Sequence, residues 1–491
     1  MKSISDLLSA LPLLTTSLLV AVSLLAALVT SVDLGTRFRV EWMGSYFIGV
    51  LLVLVTGVVL TGRDVSMGLD TSLRPDSGDT AAGDWASRGI TLLCMAIAAE
   101  RAFRFLLRRE FRTSHGNGLL VALLAYMLSV NIVAPMFGTP GGFRHHLIYA
   151  PLALFAVFGY AQTQSERCIV LVRNSILAFL LVSLLCLAAR PEWVTDSRYL
   201  DGVLPGFTVR FYGFSAHPNS LAPLCLLLIC CLRLRRFNRA GVNALGWSIA
   251  VISLALTQSK TSIGLVLLAL GYFWLFDQKR RVLDIGPKEH RRWQATTLTS
   301  VVMLIGMLGM LVLGLQLAGG IGVFARLDQL DDKGQLSTLS GRTDIWLATM
   351  KAFEGNPLFG YGPELWGLEF RIKTGLPYAH AHNQFIHTLG AAGVVGLVAL
   401  LICLGAMSVA AWRTRSASHG VSLVLFVFLL LRGLTEVPLD VSNPMLSEFL
   451  FLAFLLVVCV AGLSTRTSVR PRVARVRVAH QASRAHVGPA T

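Results

Sequence analysis

The sequence predicts an all-α polytopic integral membrane protein with about twelve transmembrane helices. Of its 491 residues, 54% are hydrophobic and only 14% are charged, whereas soluble domains carry about 25% charged residues. The mean hydropathy is +0.65. Apolar runs of about 20 residues, long enough to cross a hydrocarbon core, recur along the whole chain. The pattern is compatible with either twelve or thirteen spans, which place the N-terminus on opposite sides of the membrane.

The apolar runs delimit the candidate spans. They lie near residues 10–32, 43–61, 87–104, 117–137, 147–162, 168–189, 215–233, 243–258, 261–277, 296–319, 391–412, 420–437 and 445–463. The runs within 147–189 and within 243–277 are joined by very short connections, which leaves open whether each divides into two spans. Before the first run Lys2 is the only basic residue, a pattern that favours an uncleaved span over a cleavable targeting peptide.

The positive charge is distributed in a way that indicates topology. The formal net charge is +16, and the basic residues cluster in the connections 101–112, 233–239 and 279–292 and in the tail 466–484. Short basic loops mark the cytoplasmic side of a membrane protein, where they also attract anionic lipid headgroups. Topology therefore accounts for the charge, and no nucleic-acid partner is expected. Nucleotide-binding motifs are absent from the sequence as well.

This orientation places three polar segments, 190–212, 258–261 and 320–384, on the outer side. Aromatic residues throughout the longest segment predict an ordered loop, with an amphipathic helix over about 343–354. The tail is basic and lacks aromatic residues, a composition typical of disorder. The predicted organisation is an N-terminal transmembrane bundle (1–319), an outer loop domain (320–390), C-terminal transmembrane helices (391–463) and a cytoplasmic tail (464–491).

Three cations belong to the outer half, where topology does not require positive charge: Arg210, Lys260 and Arg342. A cation beside an apolar span is energetically costly unless it serves a purpose. Together the three are able to bind a pyrophosphate, which Arg contacts in a bidentate manner and Lys as a point charge. The alternative is that each side chain extends to water or to lipid phosphates.

Two histidines lie at the end of the outer loop. His380 and His382 alternate, so both point to one face of an extended segment. Histidine is suited to proton transfer near neutral pH, which favours a general base or proton shuttle. Metal binding is less favoured because no acidic residue lies within ten positions of the pair. A structural histidine at a capped helix start is the remaining alternative, and Asn383 is expected to orient or cap.

The histidine segment also resembles a family signature. His382-Asn383, nine residues and then Gly393-x-x-Gly396 resembles the signature of bacterial O-antigen ligases. The wider resemblance is to the O-antigen ligase/polymerase superfamily, and it includes Gly341-Arg342 with Trp346, Asn356-Pro357-Leu358-Phe359-Gly360-Tyr361-Gly362, Arg210-x-x-Gly213, Pro218-Asn219 and Ser259-Lys260. At position 260 the family usually has Arg, so the bidentate contact is lost while the charge is kept.

The resemblance implies a fold, a reaction and a location. The fold is a GT-C-like glycosyltransferase with about twelve spans and both termini in the cytoplasm. The reaction transfers polysaccharide from undecaprenyl pyrophosphate to a sugar hydroxyl of lipid A–core, with inversion. It takes place on the periplasmic side of the bacterial inner membrane, without a metal or other cofactor. The implied partners are the lipid-linked glycan donor, the lipid A–core acceptor and membrane lipids.

The resemblance also implies a role for each site residue. His382 acts as the general base, and Arg342 is both catalytic and a pyrophosphate ligand beside Arg210 and Lys260. The supporting residues are His380, Asn383, Tyr361, Gly393 and Gly396. Related readings stay open: a polymerase of O-antigen or exopolysaccharide, which uses a lipid-linked acceptor, and a protein O-oligosaccharyltransferase. A membrane transporter is the alternative of another class, although no internal repeat is evident.

Overall fold

The structure is a computed structural model that describes residues 42–61, 81–107, 115–196, 209–215, 217–283, 342–376 and 378–484. The predicted spans 10–32 and 296–319 lie outside these residues, as does most of the predicted outer loop before Arg342. The prediction of twelve or thirteen spans therefore stays a prediction.

The described residues are almost entirely helical. The helices are α1 (Trp42–Thr61), α2 (Ala81–Leu107), α3 (Asn117–Leu128), α4 (Ala134–Phe137), α5 (Tyr149–Ala189), α6 (Pro218–Leu234), α7 (Ala240–Thr257), α8 (Lys260–Leu283), α9 (Arg342–Glu354), α10 (Leu368–Thr374), α11 (Gln384–Thr414), α12 (Val421–Arg432) and α13 (Ser447–Arg484). A π-turn (Ser129–Val133) joins α3 to α4, and 3-10 turns lie at His145–Ile148 and Pro191–Trp193. Strands β1 (Thr195–Asp196) and β2 (Arg210–Phe211) pair antiparallel.

Length and composition agree with a multi-pass membrane protein. Within the described residues, six helical segments are long and apolar enough to span a membrane: Asn117–Phe137, His145–Ala189, Ala240–Thr257, Lys260–Gln278, Gln384–Thr414 and Ser447–Thr465. Shorter apolar helices occupy Phe47–Val59, Pro218–Leu234 and Val421–Arg432. Their positions match the apolar runs of the sequence. The helix assigned to the run 420–437 ends earlier than predicted, at Arg432.

Helix α5 is two segments rather than one span. Its 41 residues would extend about 60 Å at 1.5 Å per residue, twice the thickness of a hydrocarbon core. Gln164 has non-helical backbone angles and separates the two segments. Residues on either side of this break match the predicted spans 147–162 and 168–189, so the structure agrees with dividing the run.

Helix α6 is the centre of the bundle. Leu221–Leu232 is buried on every face of the helix, and a helix that is apolar all round belongs in an interior. It packs against α5, α7 and α13. Because its first turn belongs to one end of the bundle and Arg233 to the other, α6 defines the two ends used below: the site end, near Pro218, and the far end, near Arg233.

Helix α11 is interrupted at Gly393, and the loop before it fills the interruption. Gly393 has φ 63° and ψ −162°, a conformation that suits glycine alone. Gly390 O and Ala391 O accept from the N–H groups of Tyr361 and Gly362 at 2.8 and 2.9 Å. On the other side of the break, the N–H groups of residues 394 and 395 donate to the carbonyls of residues 357 and 358 at 2.9 and 3.2 Å. The turn at 356–363 thus satisfies four backbone groups that the break would leave unpaired.

The described part of the predicted outer loop, from Arg342 onwards, packs around a small second core. It consists of the buried residues Ile345, Leu365, Trp366, Phe370, Ala381 and Ala391. The predicted amphipathic helix is confirmed as α9, one residue longer at its start. At the other end of the chain, α13 continues to Arg484, into the tail whose composition predicts disorder.

Candidate functional site

A carboxylate that follows α12 lies at the centre of the site. Glu436 Oε2 is 3.2 Å from His382 Nδ1 and 3.6 Å from His380 Nε2. The Glu436 side chain is only 12% exposed, and burial by itself raises the pKa of a carboxyl group. The hydrogen bond with His382 and the nearby Arg432 guanidinium outweigh that effect and lower the pKa of Glu436 to about 2. Glu436 is therefore an anion at neutral pH.

The histidine segment has a constrained backbone. His382 has φ 48°, in the left-handed region that non-glycine residues rarely adopt and that costs about 1–3 kcal/mol. Trp346 of α9 holds the segment, because its Nε1–H donates to Ala381 O at 2.9 Å. Asn383 begins α11, and its Oδ1 accepts from the N–H groups of Phe385 and Ile386 at 3.0 and 3.1 Å. The predicted capping role of Asn383 is confirmed.

Hydrogen bonding assigns the tautomers of both histidines. An ionised carboxylate only accepts hydrogen bonds, so His382 donates to Glu436 through Nδ1–H, and in the neutral form of the ring the lone pair is on Nε2. His380 Nδ1 accepts the backbone N–H of His382 at 3.1 Å, which places the proton of its neutral ring on Nε2, towards Glu436. Burial and the neighbouring His382 lower the pKa of His380 to about 3. His380 is therefore neutral at neutral pH.

Asn219 connects the carboxylate to the first of the predicted cations. Its Nδ2 donates to Glu436 Oε1 at 2.7 Å, and its Oδ1 accepts from Arg210 Nη2 at 2.9 Å and from Ser259 Oγ at 3.1 Å. Arg210 also donates from Nε to Thr257 O at 2.9 Å. Arg210, Ser259 and His382, which belong to the predicted outer segments 190–212, 258–261 and 320–384, thus lie at one end of the bundle.

A second buried polar group lies beneath this connection. Ser259 Oγ contacts Ser262 Oγ at 3.0 Å, and Ser262 Oγ accepts from Arg432 Nη1 at 3.5 Å. The other terminal nitrogen of Arg432 lies 3.6 Å from Glu448 Oε1, an atom that also accepts from Ser220 Oγ at 2.8 Å. Arg432 is 5% exposed, so it acts on the site through charge rather than by direct contact with a solvent-borne substrate.

The other two predicted cations lie near the site without joining its described hydrogen bonds. Lys260 follows Ser259 as the first residue of α8, and its side chain is exposed. Arg342 is the first residue of α9 and half-buried. It precedes Trp346 by four residues, which places both on one helix face. Because Trp346 contacts Ala381, Arg342 lies on the face of α9 that points to the histidine segment.

The remaining predicted supporting residues, two glycines and a tyrosine, contribute to the packing around the site. A Cβ at Gly393 would lie 2.3 Å from Leu358 O, and one at Gly396 would lie 2.3 Å from the Ala392 Cβ. Tyr361 packs edge-on against Phe370, with ring centroids 5.1 Å apart. These three positions hold the loop against α11. They do not touch His382 in the described contacts.

The structure changes the argument about metal binding, because it brings a carboxylate next to the two histidines. The ligand atoms of His380, His382 and Glu436 lie within 4.8 Å of one another, so the premise that no carboxylate lies near the histidines is wrong. The hydrogen bonds nevertheless fit a metal poorly, because His380 Nε2 and His382 Nδ1 both carry a ring proton towards Glu436. Without breaking that arrangement the carboxylate is the one ligand that remains between the rings, fewer than the three protein ligands of catalytic zinc sites. The absence of a metal stays a prediction.

Glu436 was missed because the apolar run that ends near it was assigned as a span through residue 437. An acidic residue at the end of a span is a signal in itself, since membrane segments rarely contain one. What the sequence could not give is its partner: Glu436 lies 54 positions from His382 and 217 from Asn219.

The fold and the site define a multi-pass helical membrane protein whose histidines, carboxylate and arginine meet at one end of the bundle. Residues 245–401 match the family profile described as O-Antigen ligase, so this part of the chain is similar to that family. The matched region contains both histidines but not Glu436, Asn219 or Arg210. No curated protein sequence matches the chain.

Proposed function

We propose that the protein transfers a polysaccharide from undecaprenyl diphosphate to a sugar hydroxyl of lipid A–core. One observation carries this proposal: His382 Nδ1 contacts the Glu436 carboxylate, which orients Nε2 of the neutral ring as the proton acceptor, and Glu436 is linked through Asn219 to Arg210. A base and a cation held in one framework suit a reaction that removes a proton from one substrate and releases an anion from the other.

The proposed transfer is a displacement at the anomeric carbon of the donor, and it uses both the base and the cation. The acceptor hydroxyl oxygen attacks the anomeric carbon of the donor and forms the new glycosidic bond with inversion. The bond from that carbon to the diphosphate oxygen breaks, and its electron pair leaves with the diphosphate. The hydroxyl proton passes to His382 Nε2. General-base catalysis of this kind contributes about 10²–10⁴-fold, and Glu436 stabilises the imidazolium that forms.

Release of the anion requires positive charge near the leaving group, which the predicted cations would supply. Arg210, Lys260 and Arg342 would neutralise the charge that develops on the leaving diphosphate, where contacts in a partly dry site are strongest. Because diphosphate is already a good leaving group, no nucleotide and no strong general acid are needed. The ordered loop over 342–376 would limit the access of water and hence hydrolysis of the donor.

Charge distribution supports a periplasmic site. The far end of the bundle is rich in arginine, with Arg233, Arg235, Arg236, Arg239, Arg413 and Arg415 at the ends of its helices. Basic residues favour the cytoplasmic side, so the histidine end would face the periplasm of a bacterial inner membrane, where lipid-linked glycan meets lipid A–core.

The test is transfer with purified protein, a defined undecaprenyl-diphosphate glycan and lipid A–core, with and without EDTA. Glycosylated lipid A–core formed in EDTA supports both the reaction and its independence of metal. Extension of the donor glycan in place of lipid A–core would assign a polymerase, and transfer to a protein acceptor would assign an oligosaccharyltransferase. Transfer that requires an added divalent cation would overturn the metal-free mechanism.

A further inference from the structure

Asn219 hydrogen-bonds to both halves of the site, to Arg210 on one side and to Glu436 on the other. It belongs to the first turn of α6, where His217 Nδ1 accepts its backbone N–H at 3.1 Å. That contact fixes the backbone, while the amide group reaches three other elements: β2 through Arg210, the start of α8 through Ser259, and the segment after α12 through Glu436.

Chemistry allows the amide only one orientation. Arg210 and Ser259 both donate to it, so the atom between them is the oxygen. Glu436 is an acceptor, so the atom facing it is the nitrogen. A reversed amide would set two donors against each other and leave an acceptor against a carboxylate. Hydrogen bonds therefore fix both the oxygen and the nitrogen of the Asn219 amide.

We propose that Asn219 is a positioning residue that makes anion binding at Arg210 and proton acceptance at His382 depend on each other. The inference rests on the proposed function and adds to it the link between the two substrates. A shift of Arg210 towards a bound diphosphate is transmitted to the amide oxygen, and the amide nitrogen holds the carboxylate that orients His382. Such coupling is reciprocal by thermodynamic necessity.

An Asn219→Asp variant tests the link through its pH profile. The substitution keeps an acceptor for Arg210 and Ser259 but places a second carboxylate where an N–H now lies 2.7 Å from Glu436 Oε1. Two carboxylates this close share one proton. When that proton leaves at higher pH, the two carboxylates repel each other, and the contact of Glu436 with His382 is lost. The charged and titratable groups around the pair are His217, Arg210, His380, His382, Arg432, Asp440 and Glu448.

The expected result is a change in the shape of the profile. The wild-type profile is the reference, and relative to it the Asn219→Asp variant loses activity on the alkaline side. The ratio of rates at two pH values is independent of yield. Asn443→Asp is a matched control, because Asn443 is exposed, lies between α12 and α13, and uses only its Oδ1, which accepts from Met445 N at 2.9 Å. Its profile should keep the wild-type shape.

An Asn219→Ala variant tests both halves at once. Loss of a hydrogen bond to a charged group at each end predicts a fall in kcat/KM of about 10–100-fold, divided between a lower kcat and a higher KM for the donor. Affinity for undecaprenyl diphosphate, measured without turnover, should fall about ten-fold by the same reasoning. A change confined to kcat or to KM, or an unchanged affinity, would overturn the coupling.

The outcomes separate this inference from the function on which it rests. If the wild-type protein transfers glycan and the Asn219→Asp profile keeps its wild-type shape, only the coupling is overturned. If the wild-type protein transfers nothing, the proposed function fails, and the binding experiment still decides whether Asn219 supports the anion site.

Discussion

Replacement of Glu436 by glutamine removes one charge from the site and almost no volume. The introduced amide has one acceptor atom and one donor atom, and Asn219 Nδ2 requires the acceptor. The amide N–H₂ then faces His382 Nδ1, which becomes an acceptor and moves the ring proton to Nε2. The base would be lost although every heavy atom keeps its place.

The structure gives the scale of this effect. The pKa of Glu436 is lowered from 4.5 to about 2, which corresponds to about 3 kcal/mol favouring the anion at 1.36 kcal/mol per pH unit. Because burial opposes this shift, its partners contribute more than the net value. A wrong tautomer removes general-base catalysis, so kcat should fall by about 10²–10⁴-fold, while the donor KM changes less.

The assay is steady-state transfer to lipid A–core with the donor varied, and the control is Glu364→Gln. Glu364 pairs with Arg144 at 2.9 Å on the surface, where the two side chains are 35% and 59% exposed. Exposed pairs contribute about 0–1 kcal/mol, so this variant should retain wild-type kcat. A Glu436→Gln enzyme with kcat within about three-fold of wild type would refute the assigned tautomer, since general-base catalysis is larger than that.

Three further outcomes are expected. His382→Ala should insert into the membrane normally and lose about 10²–10⁴-fold in transfer; wild-type transfer would exclude His382 as the base. Gly393→Ala should lower the thermal unfolding midpoint sharply, because its Cβ would meet Leu358 O at 2.3 Å, whereas Gly405→Ala in the same helix has nothing within 4 Å and should gain up to about 1 kcal/mol. Acidification should also destabilise the fold: with the pKa of His380 lowered from 6.5 to about 3, the unfolded chain binds the extra proton, so the midpoint should begin to fall below pH 6.5. Glu436 adds to the loss between pH 4.5 and about 2, and a midpoint independent of pH over this whole range would contradict both shifts.

The sequence predicts features that depend on a local pattern of residues. It does not predict contacts between segments that are distant along the chain. Apolar runs predicted the helices because burial in a bilayer demands them, and the spacing of Ile345 and Trp346 predicted α9. The cap at Asn383 follows from the preference of helix starts for such residues. The pairing of His382 with Glu436 depends on how α11 and α12 return to the same end of the bundle. No local pattern encodes that return, so neither the partner of the base nor its tautomer could be predicted.

The interruption of α11 also limits how the loop can move. Lifting the turn at 356–363 away from α11 would uncover four backbone groups at once, each costing about 1–3 kcal/mol where water cannot reach it. Together the four groups oppose that motion by about 4–12 kcal/mol. An opening that admits a long glycan therefore costs less if it hinges outside this turn, and the loop enters the cycle already hydrogen-bonded to the helix that begins beside the base.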